Sequence, residues 1–135
     1  MIQVTEEELD VAAHISAATD DRMGAQVTFI GQIRNHDPAV PAEVSSIDYS
    51  AHPDAEMILK SIISEVQTEF PCLIAASHRI GHLKVGDIAL VVAVSAPHRA
   101  QAYEVSRNVV ERIKAELPIW KKQHDIAGDS HWSGL

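Results

Sequence analysis

Apolar residues recur along this chain in two rhythms, one every three or four positions and one at alternate positions. Thr5-Glu6-Glu7-Glu8 has the form of a helix capping box, and Leu9, Ala12, Ala13 and Ala17 follow at helical spacing, so a first helix is expected to end near Thr19-Asp20-Asp21. Val27, Phe29 and Ile33 alternate around Gly31 and predict a strand. A loop begins at His36-Asp37-Pro38, and Val44 to Tyr49 predicts a second strand. Pro53 opens a second helix, where its missing N–H is harmless; Ile58, Leu59, Ile62, Ile63, Val66 and Phe70 form its stripe, and Pro71 closes it. Leu73 to Ile80 predicts a third strand, Gly81 and Gly86-Asp87 bracket a turn, and Ile88 to Ser95 predicts a fourth. The last is almost continuously apolar, as expected of a central strand covered on both faces. After Pro97 a third helix carries Ala102, Val105 or Ser106, Val109, Ile113 and Leu117 inward, and Pro118 stops it. Beyond Pro118 the chain reads as polar and irregular.

The expected order is αββαββα, an α+β domain with a mostly antiparallel sheet and packed helices. At 135 residues, with no repeat or linker, residues 1–135 read as one domain. Cys72 sits in the apolar run Cys72-Leu73-Ile74-Ala75-Ala76 and reads as a buried thiol. A single unpaired cysteine, an N-terminus without a basic or apolar leader and the absence of a long apolar run give the expectation of a soluble cytoplasmic protein.

The net charge of −8 argues against nucleic acid as the main partner. Its distribution says more. Six of the eleven basic residues fall between Arg99 and Lys122, opposed there only by Glu104, Glu111 and Glu116. A solvated helix face would explain this, and so would an anion site. Ser95-Ala96-Pro97-His98-Arg99 lies where a buried strand hands over to a helix, whose first N–H groups attract anions; His98 and Arg99 would add to that field, or His98 would merely cap the helix. Lys114 and Lys121 would lie about 10 Å apart along an unbroken helix, at roughly 1.5 Å per residue, but Pro118 breaks it and lets the chain fold back. They are then either convergent amines, with a lowered pKa in at least one, or two unrelated surface lysines. Arg34 follows the first strand with a planar fork suited to phosphate or carboxylate, and is otherwise an ordinary turn arginine. The eight histidines lack metal-ligand spacing, and there is no phosphate loop, nucleophile elbow or cysteine placed for attack.

In order and spacing, Gly24 to His36, His78-Arg79-Ile80-Gly81, Val85-Gly86-Asp87, Ser95 to Arg99 and Lys114 to Lys121 resemble the MoaE family, the large subunit of molybdopterin synthase. The resemblance runs from about Gly24 to Trp132. It departs at Ile119, where the family has Phe, in a proline-containing loop from His36 to Ala42 where relatives are often glycine-rich, and in the lack of an arginine among the last dozen residues. The resemblance implies an α/β hammerhead fold and a heterotetramer of two large subunits, each binding a small ubiquitin-like sulfur carrier that ends in a Gly-Gly thiocarboxylate. It implies that this tail enters a pocket and that sulfur passes to cyclic pyranopterin monophosphate to form the dithiolene of molybdopterin. No cofactor or metal is implied, because the attacking sulfur arrives on the partner. Lys114 and Lys121 match the catalytic lysines, and Arg34, His98 and Arg99 match substrate or anion contacts. Lys121 is assigned to proton transfer and Lys114 to stabilising the tail or a covalent intermediate, roles that the residues alone leave interchangeable. Lys122 has no counterpart and reads as a surface charge. The rival reading is a noncatalytic anion-binding regulatory module on the same scaffold.

Overall fold

The computed structural model describes residues 1–134. Its elements run β1 (Ile2–Thr5), α1 (Val11–Ala17), β2 (Ala25–Gln32), β3 (Val44–Ala51), α2 (Ala55–Glu69), β4 (Leu73–Arg79), β5 (Gly81–Lys84), β6 (Ile88–Ala96), α3 (Arg99–Glu116), β7 (Ile119–Asp125) and β8 (Ser130–Gly134). They form two four-stranded sheets, ordered β1-β4-β6-β2 and β5-β3-β7-β8. The β1–β4 pair is parallel and the other strand pairs among the described residues are antiparallel. The expected α+β class and mostly antiparallel pairing hold.

β6 lies between β4 and β2, and every residue from Ala89 to Ala96 is buried. Its alternation separates two faces. Leu90, Val92 and Val94 pack with Leu59, Ile63 and Val66 of α2 and Val105, Val109 and Ile113 of α3. Ala93 turns the other way, against Ala75 and Ala18. Each large apolar side chain withdrawn from water contributes about 1.5–3 kcal/mol, so this layer holds the helices against the sheet. Cys72 is part of that core, and burial pushes its thiol up. The stripes expected for α2 and α3 are the ones observed: Leu59, Ile62, Ile63 and Val66 on the first, and Ala102, Val105, Ser106, Val109 and Ile113 on the second, with Ile58 and Phe70 partly buried against the core.

Four strands depart from the expected order. β1 replaces the start of the first helix: Thr5 pairs with Arg79, and its hydroxyl accepts from Glu7 N–H at 3.1 Å. The helix begins later, capped by Asp10, whose carboxylate accepts from Ala13 N–H at 3.0 Å. Its buried residue is His14, which bridges the Asp10 carbonyl and the Ser77 hydroxyl, each at 2.6 Å. β5 is a four-residue strand where only a turn was expected, entered through Gly81 at φ 93°. β7 and β8 form a hairpin from the segment that read as irregular. Ile119, Gln123 and Asp125 of β7 are buried, with Trp120 exposed and Lys121, Lys122 and His124 half-buried. Polar residues occupy inward positions, so hydrophobic alternation fails as a signal.

On the outer face of the second sheet, Asp48 joins three strands. Its carboxylate meets His82 Nδ1 at 2.7 Å and His124 Nε2 at 2.6 Å, and His124 Nδ1 meets the Ser130 hydroxyl at 3.0 Å. The two imidazoles, His124 first, hold the Asp48 carboxyl below the usual carboxylate range. Stability from this group is therefore present above the unfolded carboxylate value of about 4 and is lost as pH falls through the lower folded value. The side chain is 45% exposed, so solvent screening keeps the contribution under about 1 kcal/mol. Melting temperature measured from pH 6 down to pH 2 is expected to fall less steeply for Asp48→Asn than for the parent.

Gly24 is needed at its place for a different reason. A Cβ there would stand 2.4 Å from the Pro97 carbonyl oxygen, while Gly24 N–H donates to the Ala96 carbonyl at 3.1 Å. Gly24→Ala is expected to lower stability by about 1–3 kcal/mol in denaturant unfolding, because backbone must move to admit the methyl.

Candidate active site

A cleft of about 370 Å³ opens between the C-terminal end of β2, the loop that follows it, β3, the last turn of α3, and β7. Three of the five residues expected at the site line it: Arg34, Lys114 and Lys121. α3 places Lys114 there because its buried stripe continues to Ile113 on one side and Leu117 on the other. Leu117 then turns extended at φ −72° and ψ 123°, as a residue before proline should, and the chain returns as β7. β7 pairs with β3 through Lys121↔Tyr49 and with β8 through Lys121↔Ser133, which fixes Lys121 in the sheet. The fold-back at Pro118 thus brings into one cleft two amines that a continuous helix would hold apart.

The environments of the two lysines differ. Burial holds the Lys114 amine below the usual lysine range, and repulsion from Lys121 and then Arg34 adds to this, with Glu111 opposing. Among the described residues Lys114 has no carboxylate within ion-pair distance. Lys121 Nζ lies 3.5 Å from Asp37 Oδ2, with the lysine side chain 22% exposed and the aspartate 16%. The same oxygen accepts from Gln123 Nε2 at 3.2 Å, and Asp37 Oδ1 accepts from Ala39 N–H at 2.8 Å. These contacts, the Ala39 N–H foremost, hold the Asp37 carboxyl below its usual range. Arg34 is steadied by its own turn, its Nε–H donating to the His36 carbonyl at 2.9 Å.

Behind the cleft, Tyr49 meets the His78 ring edge-on, with centroids 5.1 Å apart. Burial pushes the Tyr49 phenol up to about 12 and the His78 imidazole down to about 4, so both are neutral at physiological pH. The Lys114 ammonium adds to the depression at His78, whose Nδ1–H donates to the Arg79 carbonyl at 2.7 Å. A cationic cleft with a low-pKa amine over a neutral aromatic floor can bind an anion, stabilise developing negative charge and exchange a proton.

His98 and Arg99 do not join this cleft. They form the N-cap and first residue of α3, and His98 makes no side-chain capping bond. Lys114 is fifteen residues further along the helix, about 22 Å at roughly 1.5 Å per residue. The helix that anchors Lys114 therefore carries His98 and Arg99 away from it. Lys122 faces the opposite side of the sheet, its Nζ 5.5 Å from the centre of the exposed Trp132 ring. No group of three or more His, Cys, Asp or Glu side chains among the described residues is placed to hold a metal ion. Asp37, Tyr49, His78 and Gln123 were not expected at the site. Lys121 and Gln123 are two apart on one strand face, a signal that becomes visible once residues 119–125 are recognised as a strand.

Comparison with known proteins agrees with this architecture. The family model described as MoaE protein matches residues 4–116. The molybdopterin synthase catalytic subunit of Halalkalibacterium halodurans is 39% identical over 133 residues, covering 97% of this chain and 83% of the relative. The crystal structure of molybdopterin synthase from Staphylococcus aureus superposes with a TM-score of 0.89 at 34% identity, covering 98% of this chain and 96% of that one. A complex of subunits 1 and 2 of molybdopterin-converting factor from Helicobacter pylori shares the fold, with a TM-score of 0.78 at 16% identity over 98% of this chain and 90% of that one. The shared fold and the near full-length similarity together make this chain a member of the MoaE family.

Proposed function

We propose that the chain, as a single catalytic domain of 135 residues, is a molybdopterin synthase catalytic subunit acting as a sulfurtransferase in molybdenum cofactor biosynthesis. It moves sulfur from the C-terminal thiocarboxylate of a small Gly-Gly-ending carrier to cyclic pyranopterin monophosphate. Two such transfers make one dithiolene: in each, the carrier's carbon–sulfur bond breaks, a carbon–sulfur bond replaces a carbon–oxygen bond of the pterin precursor, and water supplies the oxygen with which the carrier departs as a carboxylate. The observation that carries this reading is the convergence of Lys114, Lys121 and Arg34 in one cleft. Both reactants are anions, and both need cations and a proton-exchanging group rather than a nucleophile from this chain. Cys72 lies in the core and lines no part of the cleft. The working setting is the cytoplasm; no helix among the described residues is long and apolar enough to cross a membrane.

His98 and Arg99 enter this reading only across a subunit boundary. The heterotetramer implied by the resemblance contains two large subunits, and a second copy could present its α3 N-terminus at the cleft. If so, a Lys114→Ala chain mixed with an Arg99→Ala chain regains part of the activity that each lacks alone, since some mixed dimers hold one intact site. No recovery on mixing, with dimers confirmed by light scattering, removes His98 and Arg99 from the site.

Purified chain supplied with thiocarboxylated carrier and precursor is expected to form dithiolene, followed by mass spectrometry. Lys114→Ala and Lys121→Ala are each expected to lower the rate about a hundredfold or more, the scale of losing one group that stabilises developing charge. A parent rate in either variant dismisses that lysine. A parent chain that binds the precursor but makes no product favours the regulatory module instead.

A further inference from the structure

A carboxylate inside an anion-binding cleft is out of place unless it has a task. Asp37 is such a group: its side chain is 16% exposed, and its Oδ2 faces Lys121 Nζ at 3.5 Å and Gln123 Nε2 at 3.2 Å. Nothing in the reaction requires it to touch a reactant, and an anionic reactant would be repelled by it. Its partner Lys121 sits with Lys114 and Arg34 lining the same cleft. A flexible lysine stem surrounded by like charge turns to solvent unless an opposite charge retains it.

We propose that Asp37 is a positioning residue for sulfur transfer: its carboxylate retains the Lys121 ammonium inside the cleft as a standing cation, and so leaves Lys114, paired with no carboxylate among the described residues, as the amine that gives and takes protons. This rests on the sulfur-transfer reading and exchanges the roles first assigned to the two lysines. The local geometry fits the task. Asp37 is braced at its other oxygen by Ala39 N–H at 2.8 Å, so the carboxylate is set by its own turn before Lys121 meets it. Gln123, two residues from Lys121 on the same face of β7, is buried and donates to the same oxygen, which aims that oxygen along the strand. The titratable and charged groups facing Lys114 are Lys121 from β7, Arg34 after β2, Glu111 of its own helix and His78 from β4, with Tyr49 of β3 also lining the cleft. Those near Lys121 are Asp37, Lys114 and, at the cleft wall, Arg34 and His36.

The test is Asp37→Asn, which keeps the Oδ1 acceptor for Ala39 N–H, removes the charge, and replaces the Oδ2 acceptor that faces Lys121 and Gln123 with an amide donor. Two readouts are followed. Lys114 titration is measured by NMR on reductively methylated protein and needs no activity. Steady-state sulfur transfer is measured against precursor concentration and pH. In Asp37→Asn, Lys121 leaves its place, repulsion at Lys114 weakens, and the Lys114 midpoint moves up towards the ordinary lysine value. The pH–rate profile shifts the same way, and KM for the phosphorylated precursor rises about tenfold, the change expected when one charged contact is lost. In a Lys121→Met background, the same Asp37→Asn change leaves the Lys114 midpoint where it was, because its effect runs through Lys121. A Lys114 midpoint unmoved in Asp37→Asn overturns the proposal, as does a shift of equal size in the Lys121→Met background. A parent chain without sulfur transfer defeats the functional reading, while the titration still decides the role of Asp37.

Discussion

Three cationic side chains share one half-closed cleft, and the rest of the structure answers to the repulsion among them. Burial first, and then repulsion from Lys121 and Arg34, holds the Lys114 amine below the usual lysine range. Lys114 is kept in place by the buried stripe of α3 from Ala102 to Leu117, and Lys121 by strand pairing on both sides. Asp37 supplies the opposing charge that the apolar framework cannot. The cleft thus stores unfavourable electrostatics against a well-packed core, as expected of a site that must bind anions more strongly than water does.

The same framework explains why the two lysines are not equivalent. Lys114 emerges from a helix packed into the core, where desolvation acts first and neighbouring charge second. Lys121 comes from a strand, between buried Ile119 and buried Gln123 on one face, beside a loop that brings a carboxylate to it. In the division of roles proposed above, the amine of lowered basicity exchanges the proton and the cation beside it stabilises charge. That division suits chemistry in which the sulfur nucleophile is delivered by a partner.

α3 also sets a limit on what one chain can do. A straight helix of 18 residues holds its ends apart, so the His98–Arg99 end and the Lys114 end cannot serve one small reactant within a single copy.

Periodicity alone was enough for α2, α3 and β6, because each buries a continuous apolar stripe whose spacing survives without knowledge of its neighbours. The break at Pro118 was equally plain, since proline cannot continue a helix whatever surrounds it. Lys114, Lys121 and Arg34 were legible as candidates for the same reason: their residue types and the kink between them are local facts. β1, β5, β7 and β8 were not: β1, β5 and β8 are only four or five residues long, too short to show a period, β7 turns polar Gln123 and Asp125 inward, and β1, β5 and β7 pair with strands distant in sequence. Asp37 shows the difference most sharply. As a residue in a loop it is one acidic turn former among many, and it becomes the counter-charge of Lys121 only when chain 84 residues away is folded against it. The separation of His98 and Arg99 from the cleft is of the same kind. Residue type and spacing name the chemistry available, but which charges meet depends on long-range packing that no local pattern encodes.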